Sequence, residues 1–111
     1  MSKKKDLIRE AFRKAVFDRD GHKCRICGIT EAQLGIIRAN LDAHHITSRK
    51  EMPNGGYVKE NGISLCPECH RCAETYPTEA IYEDLYEPRK LYQAIHSSYE
   101  EAFEASSKLR E

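Results

Sequence analysis

The 111-residue chain contains no tryptophan and two methionines, and its apolar residues make up 40% against 32% charged. With a mean hydropathy of −0.71, that composition leaves a thin hydrophobic core, which needs reinforcement beyond side-chain packing. No run approaches the roughly 18 consecutive apolar residues of a membrane helix. No apolar stretch follows the basic start within Met1–Asp20, so a secretory signal is not expected and the predicted setting is cytoplasmic, without a membrane partner. Five cysteines are few for a disulfide scaffold, and in a reducing compartment metal is the expected reinforcement. A single domain is expected at this length, since folding units typically hold about 100–150 residues.

Net charge is absent too: 18 Lys and Arg balance 18 Asp and Glu, which argues against a uniformly basic coat for nucleic acid. The balance conceals a gradient. Residues 1–27 carry nine basic against four acidic side chains, residues 28–72 five against five, and residues 73–111 four against nine. A polyanion would be drawn to one side of such a dipole and repelled from the other, although solvated helix faces give the same count.

Leu7, Ile8, Ala11, Phe12, Ala15 and Val16 recur at helical spacing and predict a helix over about Lys4–Arg19, stopped by Asp20-Gly21. Thr30 and Gln33 form a potential capping box for one helical turn ending at Gly35. Asn40–Ile46 reads as a strand, Thr47–Asn61 as a long polar loop with turn residues Pro53-Asn54-Gly55-Gly56, and Gly62–Leu65 as a second strand. Pro67 opens a helix that carries His70. A segment starting at Pro77, with Ile81 and Leu85 on one face, is interrupted by Pro88, and a capping box at Ser98 and Glu101 begins a last helix. Tyr76, Tyr82, Tyr86, Tyr92 and Tyr99 are read as core packing.

Two cysteine pairs carry the sharpest signal. Cys24-x-x-Cys27 and Cys66-x-x-Cys69 each offer half of a tetrahedral site, and four sulfurs suit a structural zinc. Cys69-x-x-Cys72 is a competing pair; Cys66 and Cys69 are preferred because Pro67 sits in their turn, which leaves Cys72 free. No thioredoxin-like βαβ pattern surrounds these cysteines, which argues against a redox role. The second constellation is Asp42-Ala43-His44-His45-Ile46, Asn61 and His70, the last directly after Cys69. Adjacent strand residues point to opposite faces, so His44 and His45 are expected to do different jobs, one as a base and one as a metal ligand.

Arg19 to Gly28, Leu41 to Ile46 and Asn61 to His70 resemble, in order, the three signature blocks of the HNH endonucleases. The resemblance implies an α+β fold: a small zinc-stabilised ββα-metal core over residues 21–76, with an N-terminal helix over 1–20 and helices over 77–111. Helix one and Leu91 to Ser98 are also similar to short stand-alone members, many of them phage-encoded.

The resemblance implies roles as well. His45 would be the general base, neutral near pH 7, so that cleavage weakens in acid. His44 and His70 would bind one divalent cation (Mg2+, Mn2+, Ni2+, Co2+ or Zn2+) beside the structural zinc on Cys24, Cys27, Cys66 and Cys69. Asn61 would hold the loop or ligate the metal. Glu74 stands where some relatives carry a further metal-binding histidine, and one helical turn from His70 it is a possible ligand or a solvated acid. Asp42 would orient the His44 ring, and His22 and His96 are assigned to structure. Arg49, Lys50 and Lys59 around the loop, with Arg19, Arg13 and Lys14 on the first helix, are the expected phosphate contacts. The implied function is a metal-dependent DNA endonuclease of low sequence specificity, serving phage DNA packaging or a mobile element and targeted by a protein partner. The competing reading is a zinc-stabilised module that binds DNA or protein without cleavage.

Overall fold

The computed structural model describes residues 3–75 and 86–109. The predicted segment over Pro77, Ile81 and Leu85, with Tyr76 and Tyr82, lies outside them. Helix α1 (Lys3–Arg19) follows its apolar stripe, but only part of the stripe is buried: Phe12 and Val16 are enclosed, whereas Leu7 is 64% exposed. It closes at Gly21, whose φ of 71° lies in the left-handed region, with the His22 N–H donating to the Phe17 carbonyl at 2.9 Å. A tight turn follows, closed by the Cys24 N–H to the Ile29 carbonyl at 2.9 Å. Helix α2 (Glu31–Ile36) has the predicted reciprocal cap between Thr30 and Gln33.

Strands β1 (Asp42–His45) and β2 (Gly62–Leu65) form one antiparallel pair, with His44 opposite Ile63 and His45 opposite Gly62. The first strand is shorter than the predicted Asn40–Ile46. Its ladder stops because the Thr47 N–H turns away to the Asn61 side chain, 3.0 Å distant. The long loop between the strands is not structureless: it holds two 3-10 turns, Pro53–Gly56 and Lys59–Asn61. It is tied down where the Asn54 amide donates to the Ser106 carbonyl at 3.0 Å and the Leu109 carbonyl at 3.1 Å.

Among the described residues, helices α3 (Pro67–Thr75), α4 (Pro88–Ala94) and α5 (Tyr99–Ser107) follow. Ser98 caps α5 by accepting from the Glu101 N–H. No described helix is long and apolar enough to cross a membrane. The core centres on β2, where Ile63 and Leu65 are wholly buried, and it takes in Leu41, Leu91, Tyr92, Ile95 and Ala102. Helix α1 can press on β2 because Gly62 has no side chain: a Cβ there would lie 2.6 Å from Val16 and 2.7 Å from Phe12.

A polar pin fixes the same junction. The buried carboxylate of Asp20 accepts from the Ser64 N–H at 2.8 Å and from Arg19 Nε at 2.7 Å. Arg19 also donates to the carbonyls of Lys59 at 2.6 Å and Gly62 at 2.7 Å. Asp20→Ala would leave the Ser64 N–H unpaired and the guanidinium half-stranded, and buried polar groups bonded to a charge are worth about 1.5–3 kcal/mol each. We expect that loss of stability, about 2–3 kcal/mol, in the denaturant midpoint of zinc-replete protein.

Candidate metal centres and active site

The turn after α1 and the first turn of α3 bring Cys24, Cys27, Cys66 and Cys69 together, all four sulfurs lying within 4.8 Å of one another. Cys27 Sγ and Cys66 Sγ are 3.7 Å apart; a tetrahedral zinc with bonds of about 2.3 Å sets its sulfurs roughly 3.8 Å apart. The donor set and the spacing both fit zinc. Backbone N–H groups support the sulfurs, Cys27 N to Cys24 Sγ at 3.5 Å and Cys69 N to Cys66 Sγ at 3.4 Å. Burial opposes ionisation of Cys24, yet the backbone donors around it bring its pKa down to about 7. The Tyr86 hydroxyl donates to Cys69 Sγ at 3.5 Å. Cys72 is buried outside the cluster, as its position further along α3 predicts.

His44, His70 and Glu74 form the second cluster, with one donor atom from each within 4.8 Å of the others. The His44 and His70 rings are 5.1 Å apart. His70 Nδ1 contacts Asp42 Oδ2 at 3.1 Å, and Nε2 faces Glu74 Oε2 at 3.4 Å. Asp42 therefore engages the His70 ring rather than the His44 ring expected from strand spacing; it pairs with Leu65 at the end of β2, next to the start of α3. Burial, followed by the neighbouring His70 and His45, pushes His44 down to about 4; its neutral ring is the form that ligates metal. The cluster opens on a cleft of about 460 Å3 that His45, Ser48 and Arg49 also line. Two imidazoles and a carboxylate suit a divalent cation with open positions.

His45 points away from His44, as the pleat requires. Its ring stacks on Phe12 at 4.5 Å and meets Tyr57 edge-on at 4.8 Å. Burial, then the charge of Arg49, lowers its pKa to about 4. Nε2 is sealed from solvent and has no hydrogen-bond partner, which leaves Nδ1 as the nitrogen open to a water.

Asn61 is wholly buried and uses both ends of its amide. Oδ1 accepts from the Thr47 N–H at 3.0 Å and the Tyr92 hydroxyl at 2.7 Å, while Nδ2 donates to the carbonyls of Thr47 at 3.0 Å and Gly56 at 3.2 Å. These bonds tie the end of β1 to the loop and to Tyr92. A Cβ at Gly56 would lie 2.6 Å from Nδ2, so this contact needs glycine.

Of the expected phosphate contacts, Arg49, Lys50 and Lys59 are exposed, with Arg49 Nη1 donating to the Tyr57 hydroxyl at 2.9 Å. Arg19 is committed instead to Asp20 and to two carbonyls. Arg13 and Lys14 are exposed on α1, Lys14 paired with Asp18 at 2.7 Å. His22 bridges Asp18 and Glu31, joining α1 to α2, and His96 ends α4 at a φ of 57°. Sequence reasoning missed Phe12 and Tyr57 as the walls around His45, and Tyr92 as the anchor of Asn61. Tyr57 sits in a polar loop with no periodic signal, and Tyr92 was legible only as packing.

Two antiparallel strands, a helix crossing them, a four-sulfur cluster and a histidine pair define a small metal-binding ββα domain. Residues 24–75, a little under half of the chain, match the family model for HNH endonucleases. This match implies nuclease activity in general, with a divalent metal and DNA as the class of substrate. No curated protein and no solved structure shows significant similarity to the chain.

Two outcomes follow from this geometry. Cys66→Ser should lower zinc content from about one atom per chain and lose much of the folding free energy, since a structural zinc contributes many kcal/mol; metal analysis and thermal unfolding read both. Asn61→Asp would set a carboxylate oxygen against the Thr47 and Gly56 carbonyls, and a denaturation curve should register about 1–3 kcal/mol of destabilisation with zinc retained.

Proposed function

We propose that the protein is a divalent-metal-dependent endonuclease that hydrolyses DNA phosphodiester bonds, nicking or cutting with little sequence preference, as a single domain over residues 1–111. The observation that carries this reading is the neutral His45 imidazole, half-sealed between Phe12 and Tyr57 and adjoining the His44–His70–Glu74 cluster. His45 takes a proton from the attacking water at Nδ1. His44 and His70, with Glu74, would hold the cation, which would supply Lewis-acid polarisation of the phosphoryl group and offset charge on the departing oxygen. Asp42 fixes the His70 ring through Nδ1, which directs Nε2 toward the metal position. Asn61 keeps the end of β1, and so His45, in place. Arg49, Lys50 and Lys59 supply positive charge for the phosphate backbone.

The setting we infer, phage DNA packaging or a mobile element with a protein partner that supplies targeting, rests on the similarity to short phage-encoded HNH proteins. Plasmid relaxation tests the activity. The unaltered protein should relax supercoiled plasmid only with an added divalent ion, in a panel of Mg2+, Mn2+, Co2+, Ni2+ and Zn2+. His45→Ala should lower the rate by about 100-fold or more while structural zinc and fold persist. Cleavage that survives this substitution discards the base assignment, and DNA binding without cleavage in any metal replaces the enzyme with a binding module.

A further inference from the structure

Two grooves meet at the Tyr57 ring. One, about 380 Å3, is lined by Arg9, Phe12, Arg13, His45, Arg49 and Tyr57 among others. The second, about 390 Å3, runs outward past Lys5, Arg9, Arg49 and Lys50. No carboxylate lines either groove, although acids and bases are equal in number across the chain. Among the described residues, Lys5, Arg9, Arg13, Arg49 and Lys50 form no ion pair, whereas Lys14, Arg19, Arg25, Arg71, Arg89 and Lys108 each have an acidic partner. The cations beside His45 are all un-neutralised among the described residues, as are Lys23, Arg38, Lys59 and Lys90, which line neither groove.

Their arrangement is ordered. Lys5, Arg9 and Arg13 recur every four residues on α1 and form one exposed row, about 12 Å long at 1.5 Å per residue. That length corresponds to roughly three phosphates of one DNA strand at 3.4 Å of axial rise each. Arg49 donates to the Tyr57 hydroxyl at 2.9 Å, and Arg9 faces the same oxygen. Two guanidiniums therefore converge on the hydroxyl of a ring that abuts the His45 ring. Such a pair repels itself until an anion sits between, and a planar guanidinium is matched in shape to a phosphate.

We propose that Arg9 and Arg49, bracketing Tyr57, form a phosphate clamp that seats the DNA backbone against His45, and that Lys5 and Arg13 extend it along α1. The inference deepens the nuclease reading and rests on it for the identity of the ligand. Tyr57 is the positioning residue, since its hydroxyl holds Arg49 and its ring packs on the imidazole.

The test is binding of a short fluorescein-labelled DNA duplex, followed by anisotropy across a salt series without added divalent ion, with a gel to show that the duplex stays whole. Arg9→Ala and Arg49→Ala should each weaken binding several-fold and lower the slope of log K against log salt by about one, the change for one lost phosphate contact. Lys108→Ala removes the same charge from α5 and should leave the slope unchanged, while Arg9→Lys should restore it. Unaltered slopes in both arginine variants, an equal fall in Lys108→Ala, or no binding by the unaltered protein overturns the clamp. Because cleavage plays no part, a protein that binds through these residues yet never cuts defeats the nuclease reading and leaves the clamp standing.

Discussion

The four-sulfur cluster joins the turn after α1 to the first turn of α3, and both turns are already attached to β2. The Arg25 N–H donates to the Ser64 carbonyl at 2.9 Å, and Cys66 directly follows Leu65. A two-stranded sheet of four-residue strands is marginal by itself in water. Each of its hydrogen bonds contributes about 1 kcal/mol net, whereas structural zinc in small domains is worth on the order of 10 kcal/mol. The metal term is the larger, so the register of the ladder and the docking of α3 follow from the clamp. His70 is the residue after Cys69, which makes its approach to His44 a consequence of the same constraint.

Buried polar side chains finish what the sulfurs begin. Asn61 satisfies all its amide hydrogen bonds among Thr47, Gly56 and Tyr92, and Asp20 ties α1 to β2 through Ser64. In a core with no tryptophan, little apolar area is available to fix the loop. A fully satisfied polar group specifies one geometry more sharply than a few methyl contacts, because any other loop path would leave donors and acceptors unpaired in the interior. Gly56 and Gly62 belong to the same arrangement, since each occupies a place where a Cβ would collide with Asn61 or with Val16 and Phe12.

The parts legible in the sequence were those governed by short-range spacing. Two cysteine pairs, the Thr30–Gln33 cap and the opposite facing of His44 and His45 all follow from periodicity or from fixed turn geometry. What could not be read depended on how distant segments cross. Asp42 meets His70 rather than His44 because α3 approaches the outer end of β1, and no pattern within the strand encodes that approach. Arg19, a basic residue inside a signature block, turned out to hold carbonyls of the loop and of β2. Phe12 was legible as core, but its stacking on His45 required the placement of α1 over Gly62. Tyr57 follows two turn glycines in a stretch with no apolar repeat, so its position beside His45 left no mark in the pattern.

Burial lowers the pKa of both strand histidines to about 4, yet their surroundings separate their capacities. Around His44 the nearest partners are His70 and Glu74, a mixture of imidazole nitrogen and carboxylate of the kind that ligates a cation. Around His45 they are two aromatic rings and Arg49, and the guanidinium charge repels a cation and favours an anion. The two histidines line one cleft with Arg49, so the pleat of β1 sets a carboxylate-bearing cluster beside a cationic wall within the same cleft. Zero net charge is compatible with this, because the attraction is local: carboxylates gather at the metal side and along the C-terminal third, and the groove over α1 holds none. A polyanion approaching the chain as a whole meets no average field, but near His45 it meets cations without counter-ions, which under the proposed clamp would set where a strand lies.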